Sequence, residues 1–323
     1  MVISPRRLTR RSQTAFRLPR CTGLLGLLLL VSHAITAQEP DHTTYVVRSP
    51  STTPEIREAI QAVGGVIDHF DGTSTRAYIL HDYWDAFLAT GIPYTLESMQ
   101  PIPRKQRSSY PSFAEVSTYL SDTANAHPDI CRLISIGQSI QGRDLWALLI
   151  SDNPNSEEEE PEVAYISTMH GDETVGTVLN LNLIDLLVNS YGSDTQITQL
   201  VDETEIWILP LLNPDGYEMG IRWNANNVDL NRAFPIWQSD FEGTFGTDGS
   251  PDITGREPEV VAIMEWTTNN AFVLSANFHT GALVVNYLYD QEPGVSSGQD
   301  APTLDDPLMR LALSLCRSHT YND

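Results

Sequence analysis

A few short stretches hold the side chains best suited to chemistry. His170-Gly-Asp-Glu173 sets an imidazole and a carboxylate three residues apart, where an apolar strand (163–169) gives way to a helix (173–191). His279 follows directly on a second apolar run, Phe272 to Phe278. Ligands of open α/β sheets bind beyond the carboxyl ends of the strands, so both histidines are expected at one edge of one sheet. Two imidazoles and a carboxylate form a catalytic zinc set whose fourth position stays open to water. Alone, the His-x-x-Glu pair reads as a solvated loop, and His279 as a histidine satisfied within a core. Downstream, Arg222-Trp-Asn-Ala-Asn-Asn-Val-Asp-Leu-Asn-Arg232 ends on an amide and a guanidinium fork, Asn231-Arg232, suited to gripping a carboxylate in two places. Surface ion pairs are the plainer use of these arginines, and Asn213-Pro-Asp-Gly216 reads as a turn.

The elements that must position these residues follow from hydrophobic periodicity. Ser112-Phe-Ala-Glu115 is a capping-box spacing and opens a helix running to about Ala126. Strands are expected over 131–137, 144–151, 163–169, 206–212 and 272–278, with helices over 173–191 and 258–269. The 173–191 helix places Val175, Val178, Leu179, Leu186 and Leu187 on a broad apolar face. Unbroken apolar strands alternating with helices argue for an α/β fold: a mixed, mostly parallel sheet with helices on both faces. Residues 157–160 are read as an acidic, solvated loop. No internal repeats are evident.

Residues 40–98 read as a separate small α/β module in the order strand-helix-strand-strand-helix-strand, a ferredoxin-like arrangement. No catalytic constellation stands out in it. A pro-segment, a chaperone domain and a structural appendage are all open readings. The linker 99–111 carries prolines and the basic cluster Arg104, Lys105 and Arg107, which invites trypsin-like cleavage.

The chain has 323 residues, with 42 acids against 19 bases and a formal charge of −23. Six of the arginines (Arg6, Arg7, Arg10, Arg11, Arg17, Arg20) lie in the first 37 residues, which hold no acid. The remainder is therefore more acidic still and keeps one lysine, Lys105. Such a surface repels phosphate backbones and anionic lipid, which excludes nucleic acid as a natural partner. The arginine-rich start, the short apolar run Gly23 to Val31 and the small residues Ala34 and Ala37 form a signal-peptide pattern over 1–37, too short for a membrane span. A secreted or periplasmic protein is expected. Cys21 would leave with the leader, and Cys131 and Cys316 are read as buried thiols or a disulfide pair.

His170-Gly-Asp-Glu173, Asn213-Pro-Asp-Gly-Tyr217, Val228-Asp-Leu-Asn-Arg-Ala-Phe-Pro235 and Leu274-Ser-Ala-Asn-Phe-His279 stand in the order found in zinc metallocarboxypeptidases, which residues 112–323 resemble. The short spacing from Arg222 to Arg232 is similar to the regulatory (N/E-type) branch, and Ser139-Ile-Gln-Gly-Arg143 also resembles a family segment. The resemblance implies a carboxypeptidase-like fold and one Zn2+ per chain held by His170, Glu173 and His279. It implies oxyanion stabilisation by Arg222, binding of the substrate's terminal carboxylate by Asn231 and Arg232, and an outer subsite at Arg143. Asp229 would orient His170 through its other ring nitrogen. The implied activity is hydrolysis at peptide or protein C-termini. The family's general-base glutamate and mobile tyrosine find no counterpart: Glu292, Tyr287 and Tyr289 lie too near His279, so the catalytic domain is expected to be truncated, ending in an amphipathic helix over 307–318. A non-catalytic module that grips peptide C-termini and an amidoacylase-like hydrolase of N-acyl amino acids are the competing readings. Peptidoglycan stem peptides are further candidate substrates. The sequence leaves the oligomeric state open.

Overall fold

Strands rich in β-branched and large apolar residues, broken by glycine and proline turns, build two sheets. A computed structural model of the protein describes residues 41–70, 72–101, 109–235 and 253–281. Residues 1–40, the basic cluster of the linker, Tyr287, Tyr289, Glu292, Cys316 and the 307–318 segment lie outside the described residues.

The N-terminal module runs β1 (Thr44–Ser49), α1 (Pro54–Ala62), β2 (Val66–Phe70), β3 (Thr75–Leu80), α2 (His81–Ala89) and β4 (Thr95–Gln100). Its sheet has the order β2-β3-β1-β4 with antiparallel neighbours, the expected ferredoxin-like topology. Alternation along β1 sends Val47 into a core with Ile60, Ala77, Ile79 and Phe87. It sends Val46 to the opposite face, where Val46 and Tyr78 bury against Ile221 and Trp223 of the larger part. The module and the larger part thus share a core and form one compact unit.

The larger part runs α3 (Phe113–Ala126), β5 (Cys131–Gln138), β6 (Asp144–Ile150), β7 (Glu162–Ser167), α4 (Val175–Ser190), α5 (Thr195–Asp202), β8 (Glu205–Leu209), α6 (Pro214–Met219), α7 (Pro258–Asn269) and β9 (Phe272–Phe278). The Ser112–Glu115 capping box forms as read: Ser112 Oγ accepts from Glu115 N, and the Glu115 carboxylate accepts from Ser112 N. The sheet order is β5-β6-β8-β7-β9, with β7 parallel to both β8 and β9 and the β5–β6–β8 pairs antiparallel. Helices cover both faces: α7 packs with Ala147, Ala164, Trp207 and Leu209 on one side, and α3, α4 and α5 with Leu148, Ile150, Ile206 and Ile208 on the other. Cys131 is a buried free thiol in the second of these cores, and burial pushes its pKa up to about 12.

The structure differs from expectation at several points. β7 stops at Ser167, because Thr168 takes a positive φ of 57° and turns the chain out of the sheet. On α4, Val175, Leu179 and Leu186 are exposed, while Gly176, Thr177, Asn180, Ile184, Leu187 and Val188 are buried. Apolar residues surround this helix, and close approach decides which arc faces inward: a Cβ on Gly176 would lie 2.7 Å from Ser167 Cβ. β9 is not fully buried; it alternates between half-buried and exposed residues. The acidic 157–160 segment is a loop with no buried residue, as read, and Glu158 and Glu160 lie near Asp152 with oxygens within 4.8 Å of one another.

The same end of the sheet holds Glu205, which is 6% exposed. Burial, then the charges of Glu162 and Glu157, raises its pKa. A carboxyl whose pKa is higher folded than unfolded contributes its stability fully at low pH and loses it as pH rises through the folded value. Glu205→Gln should therefore raise the melting temperature at about pH 7, and this gain should shrink as pH falls towards about 4. Thermal unfolding of the two proteins across that range is the measurement.

Candidate metal centre and active site

Register builds the centre. Ser167 of β7 pairs with Phe278 of β9 in parallel, so the chains leaving both strands emerge side by side. His170 lies three residues past the first strand end and His279 one residue past the second. The loop after β7 is tied at its base: Thr168 Oγ1 donates to the Glu173 carbonyl and shares a hydrogen bond with Thr177 Oγ1. Beneath it sits α6, where the sequence suggests only a turn. Asn213 caps this helix by accepting from Gly216 N, and its amide also reaches the Met169 and Arg222 carbonyls. Gly171 lies so close to α6 that a Cβ there would stand 2.1 Å from the Gly216 carbonyl carbon. Asparagine followed by proline was a readable helix start.

His170 Nδ1 lies 2.8 Å from Glu173 Oε1, His279 Nδ1 lies 3.0 Å from Glu173 Oε2, and the two Nδ1 atoms are 3.2 Å apart. The three expected metal-ligating residues thus converge, with donor atoms all within 4.8 Å. Two imidazole nitrogens and a carboxylate oxygen suit a zinc ion, and the ring opposite fits as well. His170 Nε2 is 3.1 Å from Asp229 Oδ1, and an N–H donated there leaves Nδ1 as the lone-pair face. His170 and Glu173 are buried and His279 is exposed.

Electrostatics favour the ionised carboxylates of this cluster. Burial opposes the charge on Glu173, but hydrogen bonds from His170 and His279 outweigh it and hold its pKa below the ordinary range. Asp229 is likewise opposed by burial, yet the His170 hydrogen bond and the Arg222 charge lower its pKa. For His170, burial and Arg222 disfavour the cation, while Asp229 and Glu173 reverse the balance and raise its pKa.

Arg222 is only 1% exposed. Its Nε donates to Asp229 Oδ2 at 2.9 Å, and its Nη1 lies 3.2 Å from Asp68 Oδ1 and 3.7 Å from Glu173 Oε1. Asp229 also accepts from Asn231 N and so starts the short 3-10 turn carrying Asn231 and Arg232. Arg232 is exposed, and its Nη2 donates to the Ile67 carbonyl of the module. Arg143 stands apart from the cluster: its Nη1 pairs with the fully buried Asp215 of α6, which also accepts from Ser139 Oγ and Gln141 N.

The module contributes residues that the sequence did not flag. Asp68 bridges Arg222 and Arg76, and the Tyr78 ring lies 4.7 Å from the Arg222 guanidinium carbon. Gln100 accepts from Arg222 N and donates to Asp172. A cavity of about 340 Å³ remains beside Glu173, lined by Arg48, Arg76 and Tyr78 from the module and by Asp172, Glu173 and Thr280. A lone acid and a lone tyrosine on strands carry no spacing signal; only tertiary packing brings them here.

This sheet edge sets a triad that could hold a metal ion beside a buried guanidinium. The zinc carboxypeptidase (peptidase M14) family profile matches residues 116–322, and the chain belongs to that family. Carboxypeptidase D of Mus musculus is 40% identical over 239 residues, spanning 71% of this chain but 16% of the relative. Carboxypeptidase M of Mus musculus (41% over 210 residues; 61% of this chain, 45% of the relative) and the carboxypeptidase N catalytic chain of Homo sapiens (40% over 224 residues; 61% and 48%) are also similar. The chain therefore spans less than half the length of these curated relatives. Among solved structures, carboxypeptidase A from Helicoverpa armigera shares the fold, with a TM-score of 0.56, 20% identity and coverage of 76% of this chain and 72% of that one. Among the described residues no helix is long and apolar enough to cross a membrane.

Replacing Arg222 by alanine would leave Asp229 and Asp68 facing each other without their shared cation. Removing one partner of a buried pair costs about 3–5 kcal/mol. Arg222→Ala is expected to lose stability of that order in chemical denaturation. A loss below about 1 kcal/mol would mean that water already screens the pair.

Proposed function

We propose that the protein is an exported zinc-dependent metallocarboxypeptidase that hydrolyses the C-terminal peptide bond of peptides or proteins. The observation that carries this reading is the convergence of His170, Glu173 and His279, with Arg222 Nη1 3.7 Å from Glu173, in a chain of the zinc carboxypeptidase family. One zinc ion held by the three residues would polarise the scissile carbonyl and make bound water nucleophilic near neutral pH.

In this reading the chain's own groups divide the remaining work. Asp229 holds His170 in the tautomer whose Nδ1 faces the centre. Arg222 supplies a fixed cation where negative charge develops on the carbonyl oxygen, and its burial strengthens that interaction. Asn231 and Arg232 bind the terminal carboxylate and so restrict attack to the chain end. Arg143, braced by Asp215, serves an outer subsite. The module over residues 40–98 lies against Arg222 through Asp68 and against Arg232 through the Ile67 carbonyl.

Mass spectrometry of a mixed peptide pool incubated with the intact chain tests the reading. Loss of single C-terminal residues, abolished by a zinc chelator and restored by zinc, is expected. His279→Ala should lower zinc occupancy. Arg232→Ala should weaken peptides with a free C-terminus at least about tenfold and leave amidated peptides unaffected. Equal loss for both peptide types would remove the carboxylate clamp from the mechanism. An unchanged pool with a folded, zinc-loaded chain would leave a binding module rather than a peptidase.

A further inference from the structure

The chain between Arg222 and the Asn231–Arg232 turn is shaped by one amide. Asn224 is fully buried, and its Oδ1 accepts from Asn226 N and Val228 N, each at 3.0 Å. The backbone closes the same loop: Asn224 N donates to the Val228 carbonyl, and Asn227 N donates to the Asn224 carbonyl. Asn227 takes a left-handed φ of 60° at the reversal. The loop delivers Asp229, whose carboxylate accepts from Arg222 Nε on one side and from Asn231 N on the other. The spacing of the two arginine-bearing ends therefore depends on how this loop is folded.

The other half of the Asn224 amide points away from the loop. Its Nδ2 donates to Glu257 Oε2 at 2.7 Å and to Glu259 Oε2 at 3.2 Å. Two N–H donors on one side and two carboxylates on the other leave the amide a single orientation. Glu259 is fully buried on α7, alongside the buried Val260, Ala262, Ile263 and Met264 of the same helix. Its second oxygen accepts from Ile140 N at 3.2 Å, in the loop that carries Arg143. An apolar residue is often a neutral or more stable filling for such a position. The acid is accounted for by what its oxygens hold, one loop each. Glu257 is only partly buried and also accepts from Asn226 Nδ2.

From this we infer that Asn224 and Glu259 are positioning residues of the site. Asn224 sets the geometry of the 222–232 segment, and Glu259 ties that segment and the Arg143 loop to one point on α7. The inference rests on the carboxypeptidase reading, in which these arginines meet substrate, and adds what fixes their spacing. Neither residue touches substrate in it. A substitution far from the chemistry that misplaces reacting groups by about 1 Å can cost about 100-fold in rate. Because the two side chains are hydrogen-bonded, their substitutions should couple rather than add.

The test uses the zinc-loaded full chain. It measures calorimetric binding of 3-phenylpropionate, a carboxylate with no bond to cleave, and kcat and KM on a peptide with a free C-terminus. Asn224→Asp keeps the acceptor that folds the loop but sets a third carboxylate against Glu257 and Glu259. It should bind the acid at least about tenfold more weakly and lower kcat/KM by about 100-fold, with zinc content unchanged. Glu259→Gln alone can serve Asn224 or Ile140 but not both, and should weaken binding at least about threefold. Together the two substitutions restore a donor facing an acceptor, and the double variant should return to within about threefold of wild type. Asn226→Ala, which removes a side-chain contact to Glu257 only, should behave as wild type. Single variants that bind and cleave like wild type would overturn the inference and leave the carboxypeptidase reading standing. So would a double variant no better than Asn224→Asp, with zinc content and melting temperature falling together, since that loss is merely structural. The expected pattern in binding, with no cleavage by any form, would uphold the positioning pair and overturn the peptidase. Wild type that neither binds nor cleaves would overturn both.

Discussion

Arg222 is the cation on which the rest of the site depends. A buried guanidinium needs partners on every side, because an unpaired buried charge is far more costly than a paired one. Asp229 takes its Nε and hands its other oxygen to His170, which lies against Glu173 and, through it, His279. On the other side Asp68 passes the chain of charges to Arg76 and then to Glu97. One guanidinium thus joins the His170–Glu173–His279 cluster, the Asn231–Arg232 turn and the module. Such a construction is rarely the most stable way to fill a core. It yields a fixed electrostatic environment whose members orient one another.

The fold serves this network with few devices. Parallel pairing of β7 and β9 delivers two histidines to one edge. A left-handed Thr168 turns the first loop out of the sheet, and α6, approached closely by Gly171, supports it from below. The same helix reaches the opposite way through Asp215 to fix the 139–143 loop. Two loops distant in sequence are held by one six-residue helix, so their relative placement does not rely on side chains at the surface.

Much of this was legible in the sequence, for identifiable reasons. The capping box at Ser112 and the strand–helix order report local preferences and form as read, while the apolar run read as a strand over 206–212 is a strand only over Glu205–Leu209, ending before Pro210. His170, Glu173 and His279 were legible because metal chemistry restricts residue type and strand ends restrict place. The buried arc of α4 was not, since apolar residues on all sides leave the choice to tertiary packing. α6 was mistaken for a turn because its asparagine and proline serve a turn and a helix start equally well. Asp68, Tyr78 and Gln100 carry no local pattern, and their role comes entirely from the face the module turns towards Arg222.

Asp68 is the extra residue of a bulge between the Ile67–Ala77 and His69–Arg76 pairs of β2 and β3, and that bulge has a genetic side. Side chains along a strand alternate with a period of two, so adding or removing one residue is the smallest change that redirects a side chain to the other face. At the rim of a sheet this leaves the hydrogen-bonded ladder on the inner side largely intact. A docked neighbour that merely packs against an enzyme can therefore gain or lose its grip on the enzyme's charged groups through one inserted or deleted codon. Control of this kind lies within short mutational reach of a passive appendage.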